Sequence, residues 1–390
     1  MLTYEDAQAI VSKYNNPQFW ETQFKINGYK VATFNYSFCG YDDFMFPLGE
    51  DSNVTAFDMR GACFIFDKDD KLHSKYYMLP KFFNLNQVDE TQYDEVKDKK
   101  IFNIAPKEDG SLIGFMKLPD NTIFAKTIGS FVSDQANDAL KILLEHKEWH
   151  YWVNDMLDLD FTPLFEYVSY DNRIVLKYNK KEIKFIGLRD NGSGDFIPSL
   201  CPTSDLPDIY NEIPYDLKQI WSIKAPLDDL LEIRKTAKGI EGWVIVFEDG
   251  QMIKIKTDEY FTLHGLRTEN IFREDYVIHN YLDEKLDDII SQLDKDTDQD
   301  AYDFIDIVVD ATKNFMKILD DQMVMYYNLY TVTYGYDFKQ FAINHNKDKF
   351  FNMFKNYLNK EEYNKRKIEF IKNRTRKLKR AKEFIELYTK

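Results

Sequence analysis

The stretch "NIAPKEDGSLIGF" runs from Asn103 to Phe115. It reads as strand, tight turn, strand: an apolar run, the charged triplet Lys107-Glu108-Asp109, Gly110, then a second apolar run. One lysine just ahead of an Asp-Gly turn is an odd thing to hold between two strands. The neighbouring segments also read as strands joined by turns. Residues 111–117 and 122–127 flank a Pro-Asp-Asn turn and predict a hairpin. Residues 164–169, 173–178 and 182–188 predict three strands in series. Residues 243–248 and 251–256 flank Asp249-Gly250, the strongest short hairpin signal in the chain. A helix is expected over Ser133–Lys147, and residues 190–226, rich in Gly, Ser, Asp and Pro, read as a surface excursion.

The pattern changes in the last third. All 11 prolines lie at or before Pro226, and Gly335 is the one glycine after Gly265. Ile368, Ile371, Leu378, Ala381, Ile385 and Tyr388 recur at the three- and four-residue steps of a helix face. The expected fold is therefore α+β: a domain of antiparallel sheets over residues 1–265, then an all-helical domain over 266–390. A chain of 390 residues fits two cores better than one.

Composition narrows the function classes. Hydrophobic residues make up 44% of the chain, ample for buried cores, yet no apolar run reaches membrane-spanning length. Cys39, Cys63 and Cys201 are few, odd in number and unpatterned. They argue for a reducing cytosol and against a disulfide framework or zinc site. The opening MLTYEDAQAI has neither the basic end nor the apolar stretch of a secretory signal. The net charge of −15 does not suggest nucleic-acid binding, but affinity for phosphates follows local basic surface. That surface is found after Glu361, in KRK and KNRTRKLKR, either as a contact for nucleic acid or as a solvated helix face.

Lysines also pair within the hairpin at Asp249-Gly250. In Met252-Ile253-Lys254-Ile255-Lys256, alternation puts Lys254 and Lys256 on one face and the isoleucines on the other. Two neighbouring ammonium groups read as a solubilised sheet edge or as an anion site in which a polyphosphate offsets their repulsion. If the fold brought this pair near Lys107, the cations would disfavour its charged form and make it a nucleophile. Gly110 would then let a nucleotide approach the backbone. Glu166 lies within Leu164-Phe165-Glu166-Tyr167-Val168, and a carboxylate inside an apolar run points to a partnered role. His146 and His150 are four apart without a third ligand and read as a helix-end coincidence.

Eight segments occur in an order that resembles a known family. They are "FNYSFCGYDDF" (34–44), "MRGACFIF" (59–66), "LPKFFNLNQ" (79–87), "KEDGS" (107–111), "LFEYV" (164–168), "NRIVLKY" (172–178), "EGWVIV" (241–246) and "KIKTDEYFTLH" (254–264). Together they are similar to the RNA ligase 1 family of T-even bacteriophages, covalent nucleotidyltransferases with a Lys-x-Asp-Gly nucleophile. The resemblance implies an ATP-grasp-like nucleotidyltransferase domain followed by an all-helical RNA-specificity domain.

It further implies an ATP-dependent RNA ligase in which Lys107 attacks the α-phosphorus. Lys254 and Lys256 would hold the α-phosphate, and Arg60 and Lys81 the departing phosphates. Glu166 would accept from the ribose hydroxyls, and Tyr36, Phe83 and Tyr260 would line the nucleotide pocket. Phe82 is expected in the core. Glu241, and in the helical domain Asp287, would serve Mg2+, a hard ion suited to sites with one or two carboxylates. The family pattern Lys-x-Lys-Gly-Ser reads here Lys126-Thr127-Ile128-Gly129-Ser130. Lys126 is kept among the expected nucleotide-binding residues, whereas Ile128 replaces a cation. The implied partner is RNA with 5'-phosphate and 3'-hydroxyl ends, a broken tRNA above all, joined by a monomer in the cytoplasm, that of the host cell for a phage protein. Two other readings stay open: a DNA ligase or capping-type guanylyltransferase, and a non-catalytic protein that binds RNA ends.

Overall fold

The computed structural model describes residues 1–390 except 13–17, 171–175, 177, 200–212, 215–216, 218–224, 264–269, 294, 296–297, 349, 358–359 and 390. It divides into two compact units, Met1–Leu266 and Arg267–Lys390.

In the first unit the strands are β1 (Phe19–Ile26), β2 (Tyr29–Tyr36), β3 (Cys63–Phe66), β4 (Leu72–Tyr76), β5 (Phe83–Asn84), β6 (Ile101–Lys107), β7 (Ser111–Lys117), β8 (Ile123–Lys126), β9 (Phe161–Val168), β10 (Glu182–Asp190), β11 (Phe196–Pro198), β12 (Gly242–Phe247) and β13 (Met252–Lys256). They form three sheets, in the orders β1-β2-β3-β4, β11-β10-β9-β7-β8 and β5-β13-β12-β6. All described pairings are antiparallel except β5 with β13.

Alternation decides which side chains each sheet buries. On the first sheet Val31, Cys63 and Ile65 join a core shared with Leu112, Phe115 and Phe165 of the second. Ala32, Phe34, Phe64 and Phe66 face the other way, toward the helix Tyr4–Ser12. The third sheet packs Trp243, Ile245, Ile253 and Ile255 on Leu227 and Leu230 of the helix Leu227–Thr236. Each such fully buried side chain contributes about 2 kcal/mol. The expected helix forms over Asp134–Glu145, with Ser133 accepting from the Ala136 amide at 3.2 Å.

The hairpins expected around residues 118–122 and 248–251 form as β7–β8 and β12–β13. The expected strand at 173–178 falls largely outside the described residues, as do Cys201 and most of the excursion at 190–226. The opening stretch holds the main surprise. Its strands β6 and β7 do not pair with each other: β6 pairs with β12, and β7 with β8 and β9. Lys107–Gly110 is thus a corner at which the chain leaves one sheet for another.

The second unit is helical: Glu274–Leu282, Leu286–Ile290, Gln299–Asn328, a π-helical turn at Leu329–Thr333, Phe338–His345, Phe351–Tyr357, Lys360–Arg374 and Leu378–Tyr388. The apolar face read across Ile368–Tyr388 belongs to two helices rather than one, and Phe384 joins Ala381 and Ile385 in the core. Among the described residues no helix is long and apolar enough to cross a membrane.

Candidate active site

Register brings the lysines together. Gly242 is paired on one side with Lys107 and on the other with Lys256, and Val244 likewise links Ala105 and Lys254. Residues directly opposite on neighbouring strands point to the same face. Lys107, Lys254 and Lys256 therefore share the face opposite the isoleucine core. Gly242 has to be glycine: a Cβ there would stand 1.9 Å from the Ile255 carbonyl.

Glu241, only 2% exposed, sits between two of these lysines. One oxygen accepts from Lys107 Nζ at 2.8 Å, and the other stands 3.2 Å from Lys256 Nζ. The neighbours of Lys107 are thus a carboxylate as well as the cations the sequence suggested, and an opposite charge at this range favours the ammonium form. Lys254 lies with its Nζ 5.8 Å from the centre of the Phe82 ring.

Asp109 anchors the corner. It is buried, and its carboxylate accepts from the Tyr260 hydroxyl at 2.9 Å and the Leu176 amide at 2.7 Å, while its own amide donates to the Tyr178 hydroxyl at 3.0 Å. Glu108 pairs with Lys184 at 2.8 Å and accepts from Tyr178 at 3.2 Å. Sequence reading singled out the motif but gave no partner to Asp109 or Glu108, and missed Tyr178 and Lys184. Tyr260, on the helix Asp258–Leu263, also has Lys256 Nζ 5.0 Å over its ring. A Cβ at Gly110 would meet the Tyr167 carbonyl at 2.3 Å, so the close approach of β9 by itself requires glycine there.

Across the corner, Glu166 of β9 is half-buried. Burial, followed by the neighbouring charges of Glu241 and Glu108, pushes its carboxyl up to about 8 against the opposing pull of Lys107 and Arg60. Arg60 donates to the Leu79 carbonyl at 3.2 Å. Lys81 lies 5.1 Å over the Phe83 ring.

Phe83 is buried among Tyr41, Phe44 and Phe57. Phe82 is half-buried and faces Lys254, so the core assignment of Phe82 is corrected. Tyr36 ends β2 against Phe44, with ring centres 4.6 Å apart. Lys126 is fully buried. Its ammonium donates to the carbonyls of Thr127 at 2.9 Å and Ile128 at 2.5 Å, and desolvation lowers its pKa to about 8. It braces the 127–130 loop from below.

Asp287 belongs to the second unit, half-buried on the helix Leu286–Ile290. Among the described residues no three His, Cys, Asp or Glu side chains gather into a metal cage. The donor chemistry of Glu241 fits a hydrated hard cation, which takes one or two carboxylates and leaves its other positions to water and phosphate.

This cluster lies almost wholly within a match to known proteins. A family model described as RNA ligase, of the T4 RNA ligase 1 type, matches residues 58–261. The chain belongs to the T4 RNA ligase 1 family.

Two curated relatives are each 24% identical to this RNA ligase family member. "Putative RNA ligase" of Thermovibrio ammonificans aligns over 218 residues, 54% of this chain and 55% of that one. "Putative bifunctional polynucleotide kinase/RNA ligase" of Autographa californica nuclear polyhedrosis virus aligns over 205 residues, 47% of this chain and 28% of that one. The chain thus spans about half the length of the first and less of the second. Among solved structures, an archaeal ATP-dependent RNA ligase (form 2) matches with a TM-score of 0.45 and 10% identity, over 79% of this chain and 76% of that one.

Proposed function

We propose that this chain is an ATP-dependent RNA ligase that seals 5'-phosphate and 3'-hydroxyl ends, with broken tRNA as its natural substrate, acting as a monomer in the cytoplasm. The observation that carries the reading is Glu241 held between Lys107 and Lys256, on the lysine-bearing face of the third sheet.

Three steps follow. Lys107 Nζ, after losing a proton, attacks the ATP α-phosphorus; a P–N bond forms and the bond to pyrophosphate breaks. The RNA 5'-phosphate then attacks the same phosphorus, the P–N bond breaks and the amine regains a proton. Finally the 3'-hydroxyl attacks the RNA 5'-phosphorus and AMP departs, a far better leaving group than an oxide of phosphate.

Lys254 and Lys256 stabilise charge developing on the α-phosphate, and such electrostatic stabilisation lowers the barrier to phosphoryl transfer more than any other single effect. Arg60 and Lys81 take the outgoing phosphates. Glu166 accepts from the ribose, and Tyr36, Phe83 and Tyr260 surround the nucleotide, with Lys126 supporting the 127–130 loop beneath it.

Glu241, and in the second unit Asp287, would hold Mg2+, which would supply charge compensation to the phosphates. Glu241 engaged in that way would loosen its hold on Lys107, coupling activation of the amine to arrival of the substrate. Residues 1–265 carry out adenylylation, and 266–390 select the RNA.

Intact-mass spectrometry after incubation with ATP and magnesium tests the reading. One added adenylate is expected on the wild-type chain and none on Lys107→Ala, while Lys107→Ala still joins RNA that is already adenylylated. A stable adenylate on Lys107→Ala would refute the assignment.

A further inference from the structure

Within the second unit, the helices Phe351–Tyr357 and Lys360–Arg374 leave an open cleft of about 540 Å³ between them. Its lining is unusual for a gap between packed helices. Three carboxamides, Asn352, Asn356 and Asn373, face it together with the cations Lys355 and Arg366. Phe370, with Met353, supplies the apolar surface. Its ring is backed by Phe315, nearly parallel at 6.3 Å, and by Phe350, edge-on at 5.9 Å.

We infer that this cleft binds one unpaired nucleotide of the RNA substrate. The inference rests on the ligase reading for the presence of RNA, but on the cleft alone for the mode of contact.

Each carboxamide is both donor and acceptor, which is what the edge of an unpaired base presents. A base has a flat π-face, and a braced aromatic wall suits it. Its phosphate requires cations at the rim. Lys355 is exposed, and Arg366 is held at 3.1 Å by Glu369 and at 3.7 Å by Glu362, exposed pairs that cost little to exchange for phosphate. The volume falls in the range of small-ligand sites. An acidic or apolar peptide would leave the three amides poorly matched.

The basic side chains that look most available for RNA in the sequence are partly committed elsewhere. Lys367 is buried, with Nζ 2.9 Å from Asp320; Lys372 pairs with Asp283; and Arg374 lies over Phe315 at 5.4 Å. The cleft therefore reads RNA through amides and an aromatic face more than through net charge.

The test uses the full chain and a 5'-phosphorylated single-stranded RNA carrying photoreactive 4-thiouridine. Crosslinking of the unaltered protein is expected on the peptides containing residues 352–356 or 366–373, and a label confined to other peptides overturns the proposal. In binding assays Asn352→Ala/Asn373→Ala is expected to weaken single-stranded RNA about tenfold. Lys355→Ala/Arg366→Ala is expected to flatten the salt dependence by about 0.7 in slope, the value for the one phosphate at the rim. Wild-type affinity and slope in both variants overturn it. Formation of lysyl-AMP from ATP alone is read in the same preparations. Its loss from the wild-type chain would count against the ligase reading, and unchanged RNA binding in the variants against the cleft.

Discussion

Tyr260 donates its hydroxyl to Asp109 at 2.9 Å, tying the helix after β13 to the corner that carries Lys107. A buried carboxylate that loses a donor is left with part of its desolvation uncompensated, about 1–3 kcal/mol. Tyr260→Phe keeps the ring and removes only that donor. We expect an unfolding free energy in urea lower by roughly that amount and a slower appearance of lysyl-AMP. A variant as stable and as fast as the wild-type chain would show that the bond does not position the corner.

Glu241 separates two ammonium groups that would otherwise face each other. Glu241→Gln retains the shape and removes the charge. Lys107 then loses its ion pair, and the proposed metal loses its carboxylate. The expected result is a fall in lysyl-AMP formation of about a hundredfold, the size typical of losing one electrostatic contact to the transition state. It is read by quenched-flow labelling with radioactive ATP. Undiminished labelling would remove Glu241 from the mechanism.

The carboxyl of Glu166 is raised from an ordinary 4.5 to about 8 in the folded chain. Between those values the folded state holds a proton that the unfolded chain has released. The resulting stability is fully present below about pH 4.5 and is lost as pH rises toward about 8. Glu166→Gln cannot titrate. The melting temperature of the variant relative to wild type is therefore expected to rise between about pH 5 and about pH 9. A difference that is flat across this range would show that the carboxyl is not raised.

Two glycines in one hairpin offer a matched comparison. A Cβ at Gly242 would fall 1.9 Å from the Ile255 carbonyl, whereas one at Gly250, with φ +84°, would meet nothing within 4 Å. Gly250→Ala should cost about 1 kcal/mol from backbone strain alone. Gly242→Ala must push β12 away from β13, and denaturation should show a loss several times larger. Equal losses would mean that the strands are not so closely apposed.

The alternation of Lys254 and Lys256 with Ile253 and Ile255, the turn at Asp249-Gly250, and the disappearance of proline and glycine after the first two-thirds were all legible in the sequence. These are local properties, because side-chain alternation, turn chemistry and helix periodicity act over a few residues. The order of eight motifs over residues 34–264 likewise exposed the family. What needed the tertiary structure was every relation between distant segments. Whether β6 and β7 would pair or part, that Glu241 would lie between Lys107 and Lys256, that Phe82 rather than Phe83 would face Lys254, and that Lys126 would spend its charge on two carbonyls were all settled by sheet register and burial. Register depends on which strands meet across more than a hundred residues of intervening chain, and burial on what packs above them, so neither is written in any short stretch of sequence.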